Sequence, residues 1–404
     1  MHILYLHQYY CPAGGWGNDR SQQLAARWVA RGARVQLITS TALFPPKHPA
    51  HSLPVFRFQE NGVEVIALRV PYAQQMSYPR RIWAFLQFYR ALLRNARNLD
   101  RPDIVYASST PPSVVWAGRK LARRWQRPYV FEVVDVWPQV PIGMGIVRNV
   151  YVQAFLHGWV DDLYRDAARV VALSEGMAAE IRQRGVPEAK IRVSHNGTDC
   201  SRFQPGEQGP LANSPLRLVY AGAVGRANHL PFLLRALLLL RQMQDVPAFR
   251  LEVVGGGAEW GRVTALVREW NLTDCVTLTP AIPKTQMPAL LARADVGIVT
   301  FAPHRVLETN SANKFYDYLA AGLPVVLNYE GWQADYLSRY GCGLSSREVE
   351  QFTLHLYRLL CNPMLRVEMG RNARQLAEAH FDRQQIADVL YEDLLELSSA
   401  RGAQ

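Results

Sequence analysis

The chain has 404 residues, 49% of them hydrophobic and 20% charged. That argues against a disordered chain and leaves room for two or three domains with full cores. No run approaches the roughly 18 apolar residues of a membrane span; the densest, Leu237, Leu238, Leu239 and Leu240, sits between Arg235 and Arg241. The five cysteines are odd in number and none are spaced C-x-x-C, which argues against a disulfide framework or a zinc site and for a reducing cytoplasm. The net charge of +11 is one-sided. Residues 1–200 carry 25 Lys and Arg against 14 Asp and Glu, and residues 201–404 carry 20 of each. A basic half predicts an anionic partner: nucleic acid, a phosphorylated substrate or a lipid headgroup surface.

Taken in chain order, residues 1–7 read as a strand, lacking the basic start and cleavage site of a secretory signal. Further strands are expected at 34–39, 63–69, 104–106, 129–134, 170–173 and 191–194, with helices at 21–31, 80–97, 113–126, 150–165 and 176–184. Gly197, Pro205, Gly206, Gly209, Pro210 and Pro215 mark a linker over 198–214. Alternation then resumes, with strands at 216–221, 250–254, 276–279, 296–300 and 324–327. Helices are expected at 230–242, 259–270, 284–292, 313–321 and 383–397. Strand–helix alternation run twice predicts an α/β fold of two Rossmann-like, doubly wound parallel-sheet domains facing across a cleft. The expected boundaries are 1–198 and 199–382, with 383–404 packing back on the first domain.

Three glycine-bearing loops follow strands. Gly14, Gly15, Trp16 and Gly17 precede a helix, where backbone amides suit an anion, though the same residues fit a tight turn. Gly225 and Arg226 follow 216–221 and would place a guanidinium where it grips phosphate. Gly255, Gly257 and Gly261 form a loose variant of the dinucleotide fingerprint. In 308–324, Asn310 or Ser311 is expected to cap a helix that Gly322 and Pro324 stop. Asn313 and Asp317 share one face of it, and Lys314 lies three residues before Asp317. Lys314 and the helix start would meet a phosphate, and Asp317 a ribose hydroxyl; alternatively, Asp317 simply balances Lys314. Asp135 follows a strand and would orient an acceptor, or else cap the turn before Trp137 and Pro138; His7 lies at another strand end. There is no D-x-D metal clamp, P-loop, H-E-x-x-H or G-x-S-x-G, so no metal site is expected.

The order of these pieces resembles family 4 retaining glycosyltransferases of the GT-B fold. The similarity runs through Gly14 and Gly15, Ala172 to Met177, His195 to Asp199, Val253 to Gly257 and Ala294 to Gly297, and ends at Phe381 and Asp382. The segments from Phe131 to Pro138 and from Asn313 to Tyr318 resemble a subgroup that builds bacterial O-antigen or exopolysaccharide units from N-acetylated or 6-deoxy amino sugars (the fucosamine type). The resemblance implies a nucleotide-diphosphate sugar donor, UDP-linked, held by the second domain. It is a substrate, so no cofactor is implied. The charge asymmetry and the basic aromatic stretch 72–97 point to an acceptor that is a polyprenyl-diphosphate-linked saccharide or oligosaccharide at the inner leaflet.

Asp317 stands where the family has the second glutamate of its E-x7-E motif, with Thr309 in place of the first and Glu308 one residue off. The family's phosphate-gripping Arg and Lys fall near Ala223 and Asn228, so Arg226 and Lys314 become the substitutes, with Asp135 the third catalytic candidate. Over 72–97, Tyr78, Arg80, Trp83, Phe88, Arg90 and Arg94 suit either an anionic membrane interface or an ordinary packed helix. Kept open are a sugar-nucleotide isomerase or epimerase of the same fold and an NAD(P)-dependent oxidoreductase. A nucleic-acid binder is disfavoured because no recognition motif accompanies the charge.

Overall fold

The structure is a computed structural model that describes residues 1–15, 17–72, 76–206 and 214–399. Trp16, Gly209, Pro210, residues 73–75 of the basic aromatic stretch and the tail 400–404 lie outside the described residues. The first unit contains β1 His2–Leu6, α1 Arg20–Ala30, β2 Arg34–Ser40, β3 Val55–Glu60, β4 Val63–Leu68, α2 Tyr78–Ala96, β5 Ile104–Ser108, α3 Pro112–Trp125, β6 Tyr129–Val133, α4 Gln139–Gly143, α5 Val150–Asp166, β7 Arg169–Ala172, α6 Glu175–Gln183 and β8 Ile191–Val193. The second contains β9 Leu216–Ala223, α7 Leu230–Arg241, β10 Phe249–Gly256, α8 Trp260–Glu269, β11 Val276–Pro280, α9 Met287–Leu291, β12 Val296–Val299, α10 Asn313–Ala320, β13 Val325–Leu327, α11 Trp332–Tyr340, β14 Gly343–Ser345, α12 Val349–Cys361 and α13 Pro363–Leu376. α14 Arg383–Ser399 returns to the first unit.

In the first unit the sheet order is β3-β4-β2-β1-β5-β6-β7-β8, parallel except for β3 against β4. Both faces are covered, so the strands read as continuous apolar runs. One face packs Phe88 and Leu92 of α2, Val114 and Leu121 of α3, Leu163 of α5 and Ile181 of α6. The other packs Leu24 and Trp28 of α1 with Leu390 and Leu394 of α14. Each such fully buried side chain contributes about 1.5–3 kcal/mol. The indole of Trp28 donates to the Ala387 carbonyl (3.1 Å), and Arg27 forks onto Asp388 (2.8 and 2.6 Å), so α14 is stitched to α1.

The second sheet, of order β11-β10-β9-β12-β13-β14, is parallel at every pairing. The leucine run of α7 buries Leu233, Leu234, Leu237 and Leu240 against β9 and β10. The chain passes from one unit to the other between His195 and Asn196. Asn196 donates to the Ser311 carbonyl (3.1 Å) and Thr198 to Asp317 (2.7 Å), which ties both to α10. No described helix is long and apolar enough to cross a membrane.

The alternation predicted from sequence is thus present in both units, with element ends shifted by one or two residues. Three differences have local causes. β3 and β4 form an antiparallel hairpin whose turn is Asn61 and Gly62, both at positive φ (50° and 78°). The expected helix over 284–292 is broken into a single turn, Lys284–Gln286, and the short α9. The cap of α10 is Ala312 and not Asn310 or Ser311, because the Asn310 side chain turns back to accept from the Ala312 amide (3.0 Å) and the Ser311 hydroxyl bonds to Tyr316 (2.7 Å).

Candidate functional site

In a doubly wound sheet, ligands settle beyond the carboxyl ends of the strands where the order of connection reverses. In the second unit that place is at β9 and β12, since β9 lies between β10 and β12. The residues there are Gly222 at the end of β9, Phe301 after β12, and Lys314 in the first turn of α10. Lys314 is 8% exposed. Its ammonium lies 3.9 Å from the centre of the Tyr220 ring and 5.9 Å from that of Phe301, and it donates to the Tyr220 hydroxyl (2.7 Å). Tyr220 in turn donates to the Ala223 carbonyl (2.7 Å), which orients its oxygen toward the cation. Gly222, at φ 152°, leaves room for the lysine: a Cβ there would meet Lys314 Cε at 2.7 Å and push the side chain aside.

Among the described residues no carboxylate pairs with Lys314. Burial pushes its ammonium down to about 7. The N-terminus of α10 has no side-chain cap, so its first amides add partial positive charge beside the lysine.

The other sequence candidates of this unit are placed differently. Asp317 does not balance Lys314. It accepts from Thr198 (2.7 Å) and forms a tight pair with Lys284, with its side chain only 7% exposed. The carboxylate proposed for a ribose thus ties α10 to Thr198 and Lys284. Asn313, on the same face, accepts from Asn196, and Ser311 is engaged by Tyr316. Arg226 is no buried grip: its side chain is 88% exposed, 3.6 Å from Glu259, and it opens the single turn Arg226–Asn228 and not α7. The amide of Gly225 donates to the Asn228 side chain (3.3 Å).

The fingerprint glycines answer to packing. A Cβ at Gly255 would lie 1.8 Å from the Gly222 carbonyl oxygen, and one at Gly257 would lie 2.5 Å from that of Val224. They let the loop after β10 press onto the loop after β9.

The first unit has its own switch point at β1 and β5. A cavity of about 220 Å³ opens there, lined by His7, Tyr9, Asn18, Thr110, Val134 and Asp135. Thr110 donates to Asp135 (2.8 Å). The Asp135 carboxyl is reached by solvent yet sits in a concavity crowded with protein atoms. That crowding raises it above the usual carboxylate range, and the Thr110 bond opposes the rise. His7 shares a hydrogen bond with Ser21 (2.9 Å), and burial pushes it down to about 4, so it is neutral at pH 7.

The cavity is also lined by a buried ion pair, Arg20 with Glu132 (3.0 Å), side chains 4% and 2% exposed. Burial would raise Glu132, but Arg20, Ser108 and Tyr106 hold it below its ordinary value. Arg20 also donates to the Ser194 carbonyl (3.2 Å) and hydroxyl (3.0 Å) and to the His195 carbonyl (2.5 Å). In the glycine loop before α1 the Gly15 amide donates to Pro12 (2.9 Å), and a Cβ on Gly15 would meet the Leu43 carbonyl oxygen at 2.8 Å. Gly14, at φ 77°, makes the turn.

Sequence reasoning missed Tyr220, Phe301 and Lys284, which lie far from α10 in the chain, and the Arg20–Glu132 pair. Only the last had a readable signal: a glutamate inside a continuous apolar strand requires a buried cation. No three His, Cys, Asp or Glu side chains come together as a metal site among the described residues.

Residues 17–197 match the family model Glycosyl transferase 4-like domain, and residues 215–362 match Glycosyl transferases group 1. The chain is similar to the putative colanic acid biosynthesis glycosyltransferase WcaL of Escherichia coli (strain K12), 30% identical over 41% of this chain and 39% of that protein. It thus spans about two fifths of that relative's length. Sucrose-phosphate synthase from Thermosynechococcus elongatus superposes with a TM-score of 0.78 at 20% identity, covering 99% of this chain and 100% of that one. HepE of Anabaena, solved in complex with UDP-glucose, gives 0.69 at 18%, covering 98% and 100%. At such identities the likeness to solved structures shows the fold alone, which is GT-B.

Proposed function

We propose, for a chain that carries two glycosyltransferase domains of the GT-B fold, that it moves a sugar from a nucleotide diphosphate to a hydroxyl acceptor with retention of configuration, in the assembly of a bacterial surface polysaccharide. The observation that carries this reading is Lys314: a buried ammonium with an aromatic floor and no carboxylate, at the switch point of the second unit. A desolvated lysine without a carboxylate is poised to be completed by a ligand anion, which would hold it in the charged form. The diphosphate of the donor is that anion in this reading.

In the reaction, the bond from the anomeric carbon to the β-phosphate oxygen breaks, and a bond to the acceptor oxygen forms on the same face. The acceptor proton leaves with the departing phosphate. Negative charge grows on the β-phosphate, so Lys314 and the open amides of α10 stabilise the transition state more than the ground state. Arg226, being exposed, contributes a screened charge. Asp317 and Asn313 position α10. Asp135, Thr110 and neutral His7 orient the acceptor hydroxyl, which the first unit would hold. No step here needs a metal ion, and activity is expected to survive EDTA.

The donor class is a UDP-linked hexose or N-acetylated, 6-deoxy amino sugar. The acceptor is a polyprenyl-diphosphate-linked saccharide or oligosaccharide, presented on the cytoplasmic side at an anionic inner leaflet. A mass-spectrometric screen of UDP- and GDP-sugars, with and without lipid-linked acceptors, tests the proposal. Transfer product that requires an acceptor and is lost in Lys314→Met supports it. Conversion of the free nucleotide sugar into an isomer without any acceptor contradicts it.

A further inference from the structure

The first unit leaves two helix ends uncovered. On α2, Tyr78, Ile82 and Leu86 lie one turn apart on a single outward stripe beside Trp83, which is 54% exposed. On α5, Val150, Tyr151 and Phe155 are 66%, 83% and 70% exposed. Large apolar side chains in contiguous patches on a surface call for a partner.

The two patches belong to one surface. α2 and α5 flank α3, and a ladder of rings fixes them: Tyr89 of α2 stacks on Trp116 of α3 (4.6 Å), which meets Trp159 of α5 edge-on (5.9 Å). Two helix-packing steps put the axes of α2 and α5 about 20 Å apart. α2 follows β4 and α5 follows β6. Both therefore run back along the sheet from the rim where the parallel strands end, and both apolar patches lie in their first turns, at that rim. Asp135 and Thr110 stand at the same rim.

The charge around the patches selects the partner. The outward stripe of α2 continues from Leu86 to Arg90 and Arg94, and α2 contains no acidic residue. Arg90 lies over the Trp83 ring (5.9 Å). Arg148 is exposed just before α5, whereas Asp161, Asp162 and Asp166 fall at its far end. Apolar tips at the rim backed by arginines, with acids held away, match the layering of an anionic bilayer: hydrocarbon boundary first, headgroups behind.

We infer that the first turns of α2 and α5 form one two-pronged surface that inserts into the headgroup region of an anionic membrane, holding the acceptor rim of the first unit at the bilayer. The inference rests on the reading above only for its purpose, since membrane binding is measured without any transfer reaction. The experiment is flotation of the full chain with vesicles of phosphatidylcholine alone or with about 30 mol% phosphatidylglycerol, at low and physiological salt. Wild type is expected to float with the anionic vesicles. The pair Tyr151→Ser with Phe155→Ser, and separately Ile82→Ser with Trp83→Ser, should each lower partitioning by at least about tenfold. Arg90→Glu with Arg94→Glu should remove the preference for anionic lipid.

All three double variants should keep wild-type thermal shifts with UDP and GDP, which separates a failure of docking from a failure of the donor site. Absence of wild-type flotation at low salt would overturn the inference. So would wild-type flotation of the α5 variant, or a dimer seen by light scattering that this variant splits.

Discussion

The two units place opposite electrostatics at the same point of the same fold. In the first, the polar group at the switch point is the Arg20–Glu132 pair, neutral as a whole, with both partners saturated by Tyr106, Ser108 and Ser194. In the second, the corresponding place holds Lys314, with a tyrosine for company and no counter-charge among the described residues. A closed pair is neutralised from within. An open cation costs stability until an anion arrives. The chain as a whole carries its excess positive charge in the first half, yet the cation proposed to meet a diphosphate lies in the half with none, so net charge and site charge are separate quantities.

The comparison breaks most readily in the first unit. Arg20→Met leaves Glu132 buried and unpaired and should cost about 3–5 kcal/mol of stability by urea denaturation; a loss below about 1 kcal/mol would mean the pair is not closed. In the second unit the order of effects reverses. Lys314→Met should leave stability unchanged or raise it, and cut turnover by about 10²–10³-fold, read as initial rates at saturating donor.

The pH response sharpens the contrast. Lys314 is pushed down to about 7 in the folded chain, below its unfolded value near 10.4. The unfolded state therefore binds more protons across that interval. Its contribution to stability rises with pH above 7, by at most about 1.4 kcal/mol per unit, and levels off near the unfolded value. The difference between wild type and Lys314→Met in thermal melts from neutral to alkaline pH isolates this slope, and parallel curves would remove it. The smallest effect belongs to Arg226→Ala, expected to change turnover by no more than about threefold because its charge is solvent-screened; a loss as large as that of Lys314→Met would restore it to the centre of the site.

Much of the fold was legible because each parallel strand is buried on both faces and each helix shows a 3.6-residue stripe, as at Leu233, Leu237 and Leu240. Two elements absent from the expected list still carry a local signal: the hairpin of β3 and β4, since Asn61-Gly62 between alternating residues is a hairpin turn, and α12, with Phe352, Leu356, Leu359 and Leu360 on one face. The site was legible only where it is local. The segment from Asn313 to Tyr318 announces a helix start with a lysine, but spacing along one helix pairs Lys314 with Asp317, whereas folding brings Lys284 to Asp317 from 33 residues away and Tyr220 to Lys314 from 94. The packing of the glycines was hidden for the same reason: Gly255 and Gly257 lie against carbonyls of another loop, which no reading of their own segment reveals.

The account stands on Lys314 acting as the unfilled half of an ion pair with a diphosphate. Its most direct test is calorimetric titration of UDP and GDP into wild type and Lys314→Met at about pH 8, in two buffers of different protonation enthalpy. Binding of the anion should draw a fraction of a proton onto the lysine. Wild type is predicted to bind one of the nucleotides with net proton uptake, and the variant to bind it at least about tenfold more weakly with none. Equal affinities and no difference between buffers would contradict it.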